Sequence, residues 1–82
     1  MYITKRIIYM IRKKLGLKKN ERFRFANQKS ETNCYYFTET LLMKENWNTA
    51  KNYCWTTVSN VSLNHLLSND CKIVKCEKLS EG

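Results

Sequence analysis

The chain contains no proline and only two glycines, Gly16 and Gly82. A Gly-rich phosphate loop therefore has no place in it. Its one histidine, His65, sits in no partner motif. No nucleophile–base pattern stands out either, so the sequence reads as non-enzymatic, with no cofactor or metal set. Long apolar runs are absent: Ile7 to Ile11 is far too short to span a membrane, and Arg12-Lys13-Lys14 ends it. The same run makes a poor signal-peptide core, because cations follow it where small residues would mark a cleavage site. No internal repeat occurs. Acidic residues are scarce, seven against fifteen Lys/Arg, giving a formal charge of +8.

What is present fits one small domain of 82 residues. A chain of this size buries only about 60–65% of the surface that its unfolded form exposes. A core alone supplies about 3–5 kcal/mol at this length, so a disulfide, a metal or a partner would help. The charge is uneven: Lys5, Arg6, Arg12, Lys13, Lys14, Lys18, Lys19, Arg22 and Arg24 face Glu21 alone in residues 1–24, and the remainder is neutral. Such an end suits nucleic acid, an anionic membrane or an acidic protein patch.

Residues 2–15 predict an amphipathic helix. Met10, Ile3, Ile7, Ile11, Leu15 and Ile8 fall within an arc of about 160°. Lys5, Arg6, Arg12 and Lys13 lie outside that arc, and Lys14 lies inside it and must snorkel. Gly16 can end the helix in the left-handed conformation. Glu21 to Phe25 alternates as a short strand, with Phe23 and Phe25 on one face and Arg22 and Arg24 on the other. Phe23 and Phe25 are then available to stack on bases. Asn27 to Asn33 reads as a polar linker, and Cys34 to Thr38 as the most strand-like run. Asn46 is a good N-cap, so Trp47 to Trp55 reads as a helix. On it Trp47, Ala50 and Cys54 share one face within about 60°, and Tyr36 on the preceding strand joins them as core. Val58 to Leu63 alternates like a strand, Asn64 to Leu67 suits a helical turn or loop, and Cys71 to Cys76 reads as a final strand.

Cys34-Tyr35-Tyr36-Phe37-Thr38 followed by Trp47-x-x-Ala50-x-x-x-Cys54 resembles the opening of the C-type-lectin-like domain, a strand feeding a helix whose Trp, Ala and Cys face the core. Asn69-Asp70-Cys71 and Cys76-Glu77-Lys78 are similar to that family's closing segment. The resemblance covers residues 34–78. It implies an α+β fold, a partial C-type-lectin-like fold of short antiparallel strands with a helix at about 46–55, preceded by the basic N-terminal helix. It divides the chain into a basic leader (1–26), a polar linker (27–33), a shortened lectin-like domain (34–78) and a loose tail (79–82).

The resemblance also implies a disulfide between Cys54 and Cys76. It would close a loop of about 20 residues and stabilise by roughly 3 kcal/mol. Reduced buried thiols and a four-thiolate zinc site are the other readings of the four cysteines. The zinc reading lacks a C-x2-C knuckle. Calcium-dependent sugar binding is not expected, since the family's Glu-Pro-Asn motif needs a proline. Relatives of this domain act on cell or virion surfaces. The resemblance therefore points to a viral protein-binding module contacting a host or viral protein. The alternative, from charge alone, is a small nucleic-acid-binding domain acting through Lys5, Arg6, Arg12, Lys13, Lys18, Lys19, Arg22 and Arg24. The disulfide and the sequon Asn60-Val61-Ser62 would place the chain on the secretory route or virion surface, and reduced thiols in the cytoplasm.

Overall fold

The computed structural model describes residues 4–28, 33–48 and 50–76. The first element is the helix α1, Lys5–Leu15, and local chemistry sets both its ends. Thr4 caps it: its Oγ1 accepts from the Ile7 N–H at 3.3 Å. Gly16, at φ +72°, closes it in the left-handed region that glycine adopts without a Cβ penalty. The N–H groups of Gly16 and Leu17 return to the carbonyls of Lys13 and Arg12. Arg12, Lys13 and Lys14 occupy the last turn, where the helix dipole favours cations.

Five strands follow: β1 (Phe23–Phe25), β2 (Asn33–Phe37), β3 (Leu42–Asn48), β4 (Tyr53–Val58) and β5 (Ile73–Lys75). They form one antiparallel sheet in the order β4-β3-β2-β1-β5. The first four make a meander. The chain then returns through a one-turn helix, α2 (Leu63–Leu67), and lays β5 on the far side of β1. The architecture is thus a small α+β domain with an N-terminal helix and an antiparallel sheet.

Side-chain alternation gives the sheet two unlike faces. Phe23, Phe25, Phe37, Leu42, Tyr35 and Ile73 meet Ile8 and Ile11 of α1, Leu17, and Leu66 of α2. Both helices therefore cover the same face. Phe23 is at its centre, fully buried, with ring centroids of Phe25, Tyr35 and Phe37 at 5.4, 6.0 and 5.6 Å. No described helix packs on the other face, which carries Arg22, Arg24, Cys34, Tyr36, Glu45 and Trp47. The expected leader is therefore integral: β1 lies between β2 and β5, and its two phenylalanines form the core.

The segment expected to be a helix is a hairpin. Met43 pairs with Val58 and the register runs to Asn48 opposite Tyr53, so Trp47 faces Cys54 across two strands. Two local features favour this. The run Tyr53-Cys54-Trp55-Thr56-Thr57-Val58 is aromatic and β-branched, which suits a strand and costs χ1 freedom in a helix. Asn48 then closes the turn, its Oδ1 accepting from the Lys51 N–H at 3.1 Å, and Asn52 takes the left-handed conformation at φ +57°. Asn46 is accordingly not an N-cap; its Nδ2 donates to the Trp55 carbonyl.

The expected core of Tyr36, Trp47, Ala50 and Cys54 is corrected with it. Ala50 and Cys54 are exposed, and Tyr36 and Trp47 are half-buried on the face opposite the helices. The strand expected at Val58 to Leu63 is also replaced: β4 ends at Val58, and residues 59–62 lead into α2, where Ser62 caps by accepting from the His65 N–H. Residues 79–82, expected as a tail, lie outside the described residues.

Candidate nucleic-acid interface

Helix geometry alone decides which cations can act together. Burying Ile8 and Ile11 against the sheet turns the opposite side of α1 to solvent. At 100° per residue, Arg6 and Lys13 sit at the middle of that side, Tyr9 lies about 50° from it, and Lys5 and Arg12 follow on the flank, with Arg12 half-buried beside Ile8. The Arg12 guanidinium carbon lies 5.8 Å from the Tyr9 ring centroid and the Lys13 Nζ 5.6 Å from it. Tyr9 is 52% exposed, so the ring stands in solvent among cations. It was not among the expected site residues. The sequence signal was nonetheless there, since Tyr9 precedes Arg12 by three and Lys13 by four on the polar arc.

The counter-charge near this surface is small. Glu39, in the turn between β2 and β3, is 3.8 Å from Lys5 and 3.9 Å from Lys19. Both ion pairs are exposed and so contribute little to stability. Their effect is to hold the two lysines at one carboxylate beside the start of α1. Among the described residues Arg6, Arg12, Lys13 and Lys18 take part in no ion pair. Lys14, which falls in the apolar arc, reaches across to α2 and donates from Nζ to the Ser68 carbonyl at 3.1 Å. That resolves its position by snorkelling, as expected.

The eight cations expected to act as one set are divided by the fold. Lys5, Arg6, Arg12, Lys13, Lys18 and Lys19 belong to α1 and the loop after it. Arg22 and Arg24 point to the opposite face of the sheet. Arg22 is a clamp there: its guanidinium carbon lies 3.8 Å from the Tyr36 ring centroid. Its Nε and Nη2 donate to Glu45 at 3.1 and 3.4 Å, and its Nη1 donates to the Asn20 carbonyl at 2.6 Å. One side chain thus ties β1 to β2 and β3, and its charge is spent internally. The expected stacking residues are unavailable as well. Phe23 and Phe25 are 0% and 7% exposed because their alternation faces them into the core. Nor are Ile7, Ile8, Ile11 and Leu15 of the apolar arc free to enter a membrane, since they pack into the core, while Met10 stays exposed.

Glu21 supports the loop behind α1. Its carboxylate accepts from the Lys18 N–H at 2.8 Å and lies 3.3 Å from the Lys75 Nζ. The backbone hydrogen bond first, then Lys75, hold its pKa below the ordinary value. A lowered folded pKa stabilises above the unfolded pKa, and this contribution disappears as pH falls through the folded one.

The cysteines are placed differently from the expected pairing. Cys54 is exposed on β4 and Cys76 follows β5, at opposite edges of the sheet. Four inter-strand spacings of about 4.8 Å separate those edges by about 19 Å, far beyond the reach of a disulfide. Cys71 is buried in the core. Cys34 and Cys76 are the pair that meet, with Sγ atoms 3.2 Å apart. Among the described residues no three His, Cys, Asp or Glu side chains gather as a metal site.

Burial, and then the Cys76 sulfur beside it, push the Cys34 thiol up to about 12. Burial also raises Tyr35 and Cys71. As pH rises past the ordinary thiol range, about 8.5, the unfolded chain loses a proton that folded Cys34 keeps. The unfolded state then binds fewer protons, so stability must fall with pH, by roughly 1 kcal/mol per unit for such a group. Urea midpoints measured from pH 8 to 10.5 should decline, and Cys34→Ser should flatten the decline.

No family model matches the chain, and neither a curated protein nor a solved structure is significantly similar to it. Its function is therefore read from the site itself. Among the described residues no helix is long and apolar enough to cross a membrane.

Proposed function

We propose that the chain is a small basic module that binds nucleic acid through its phosphates, without regard to base sequence, on the solvent side of α1. The observation that carries this reading is the arc of cations on the solvent side and flank of α1, Lys5, Arg6, Arg12 and Lys13, with exposed Tyr9 among them and Arg12 and Lys13 beside its ring. From Lys5 to Lys13 the helix rises about 12 Å. Duplex DNA carries one negative charge per ~1.7 Å of axis, so this span faces about seven phosphate charges. Lysine and arginine there would displace condensed counterions, which is the main source of sequence-independent affinity. The exposed ring of Tyr9 adds a surface on which a sugar or an unpaired base can rest.

Binding of the full chain to a random-sequence 20-base-pair duplex, followed by fluorescence anisotropy across a salt series, tests the reading. Four phosphate contacts give a log–log salt slope of about −4 and a loss of about a hundredfold between 50 and 200 mM salt. An affinity that does not respond to salt, or no binding at 50 mM, would refute it.

A further inference from the structure

We propose that Cys34 and Cys76 are a thiol–disulfide exchange site, which a small disulfide such as oxidised glutathione converts to an intramolecular disulfide joining β2 to the end of β5. This site is independent of the cationic helix, since it lies on the other face of the sheet.

Three observations support it. The two sulfurs stand 3.2 Å apart over β1, against about 2.05 Å in a disulfide. Closure brings the sulfurs about 1.1 Å together and, because β2 and β5 lie two strand spacings apart, also draws the end of β5 toward β2. Their strands flank β1 on either side, and the Cys76 N–H donates to the Arg22 carbonyl at 3.0 Å, which fixes the end of β5 beside it. The two thiols also differ in access. Cys34 is 3% exposed, while Cys76 is partly open to solvent. A reagent can therefore reach one of them and not the other.

That asymmetry orders the chemistry. The Cys76 thiolate attacks one sulfur of oxidised glutathione; the S–S bond breaks and one glutathione leaves as a thiolate that takes up a proton. Cys76 is then a mixed disulfide. Cys34 gives up its proton, its sulfur attacks the Cys76 sulfur, and the second glutathione leaves and is protonated. Two protein thiols are oxidised by two electrons, and one oxidised glutathione becomes two reduced ones. Burial keeps Cys34 protonated until that second step, so it is the resolving thiol and not the attacking one.

The consequence is a covalent tie between β2 and the last strand. The closed loop runs from Cys34 to Cys76 and contains β3, β4, α2 and β5. Restricting so long a segment of the unfolded chain raises the melting temperature, here by about 10 °C.

The test uses the full reduced chain, incubated with oxidised glutathione, alkylated, and digested with trypsin without reduction. Cleavage after Lys29, Lys44, Lys75 and Lys78 places Cys34 in peptide 30–44 and Cys76 in peptide 76–78. Cys54 and Cys71 share peptide 52–72. The expected product is 30–44 joined to 76–78, with Cys54 alkylated or carrying a single glutathione. In Cys34→Ser the reaction should stop with one glutathione on Cys76. In Cys76→Ser, Cys34 should stay unmodified in the folded chain. Peptide 76–78 joined to 52–72, or glutathione retained on Cys76 in the unsubstituted chain, would overturn the proposal. So would a disulfide between 30–44 and 76–78 that leaves the melting temperature unchanged.

Discussion

Phe23→Ala is expected to remove about 3–5 kcal/mol of stability at 25 °C, the largest loss from any single truncation in the core. Phe23 is fully buried and packs against three other rings, two of them on the neighbouring strand β2. Truncating such a side chain costs about 3–5 kcal/mol, because the cavity adds to the lost transfer energy. A domain of 82 residues holds about 4–12 kcal/mol in all, at 0.05–0.15 kcal/mol per residue, and one this small lies toward the low end. The substitution therefore removes a large share of the stability. Phe23 also lies at the junction of β1, β2 and α1, so no second layer can take over. By contrast, Cys54→Ser and Ala50→Ser alter exposed positions and should stay within about 0.5 kcal/mol. Far-ultraviolet circular dichroism during thermal unfolding checks all three. The opposite ranking would mean that the core lies around residues 47–54 after all.

The second large effect concerns binding. Replacing Lys5, Arg6 and Lys13 with glutamine is expected to weaken duplex binding by about a hundredfold at 50–100 mM salt. The salt slope should become shallower by about 0.9 for each lost phosphate contact. These positions flank the exposed Tyr9 ring and contribute nothing to the core, so the variant should fold normally. Lys5 loses an exposed pair with Glu39, which is worth little. A control variant lowers the net charge equally by replacing Lys44, Lys51 and Lys72, which lie away from α1 in sequence and include the β3–β4 turn. It should lose far less affinity. Equal losses would show that net charge alone, and no particular surface, drives binding.

Much of the architecture could be read before any coordinates. The apolar arc, Gly16 and the terminal cations announced α1. Alternation announced β1, and the strand-like run Cys71 to Cys76 announced β5. These features are local, and local chemistry settles them. The hairpin from Leu42 to Val58 could not be read the same way. Trp47, Ala50 and Cys54 happen to match helical spacing, while the pairing of Trp47 with Cys54 depends on contacts along two strands. Cys34-Tyr35-Tyr36-Phe37 is apolar on both faces, so periodicity could not say which face becomes core. Register with Phe23 decided it, turning Tyr35 and Phe37 inward and leaving Tyr36 to Arg22. The resemblance to the C-type-lectin-like domain stood on the helical reading of residues 46–55, and a strand pair occupies that segment.

The candidate site was legible in outline only. The excess of positive charge in residues 1–24 is plain from composition, but its division between two faces is not. Nothing local tells that Arg22 will be used up by Glu45, twenty-three residues away. The meeting of Cys34 with Cys76, forty-two residues apart, is equally a product of strand order.

The most direct measurement is amide chemical-shift mapping of the isotope-labelled chain titrated with a short random duplex. Shifts should concentrate at Arg6, Tyr9, Arg12, Lys13, Lys18 and Lys19 and should reverse on raising the salt. Shifts confined to the β3–β4 hairpin or to the Arg22–Tyr36 face, with α1 silent, would contradict the account.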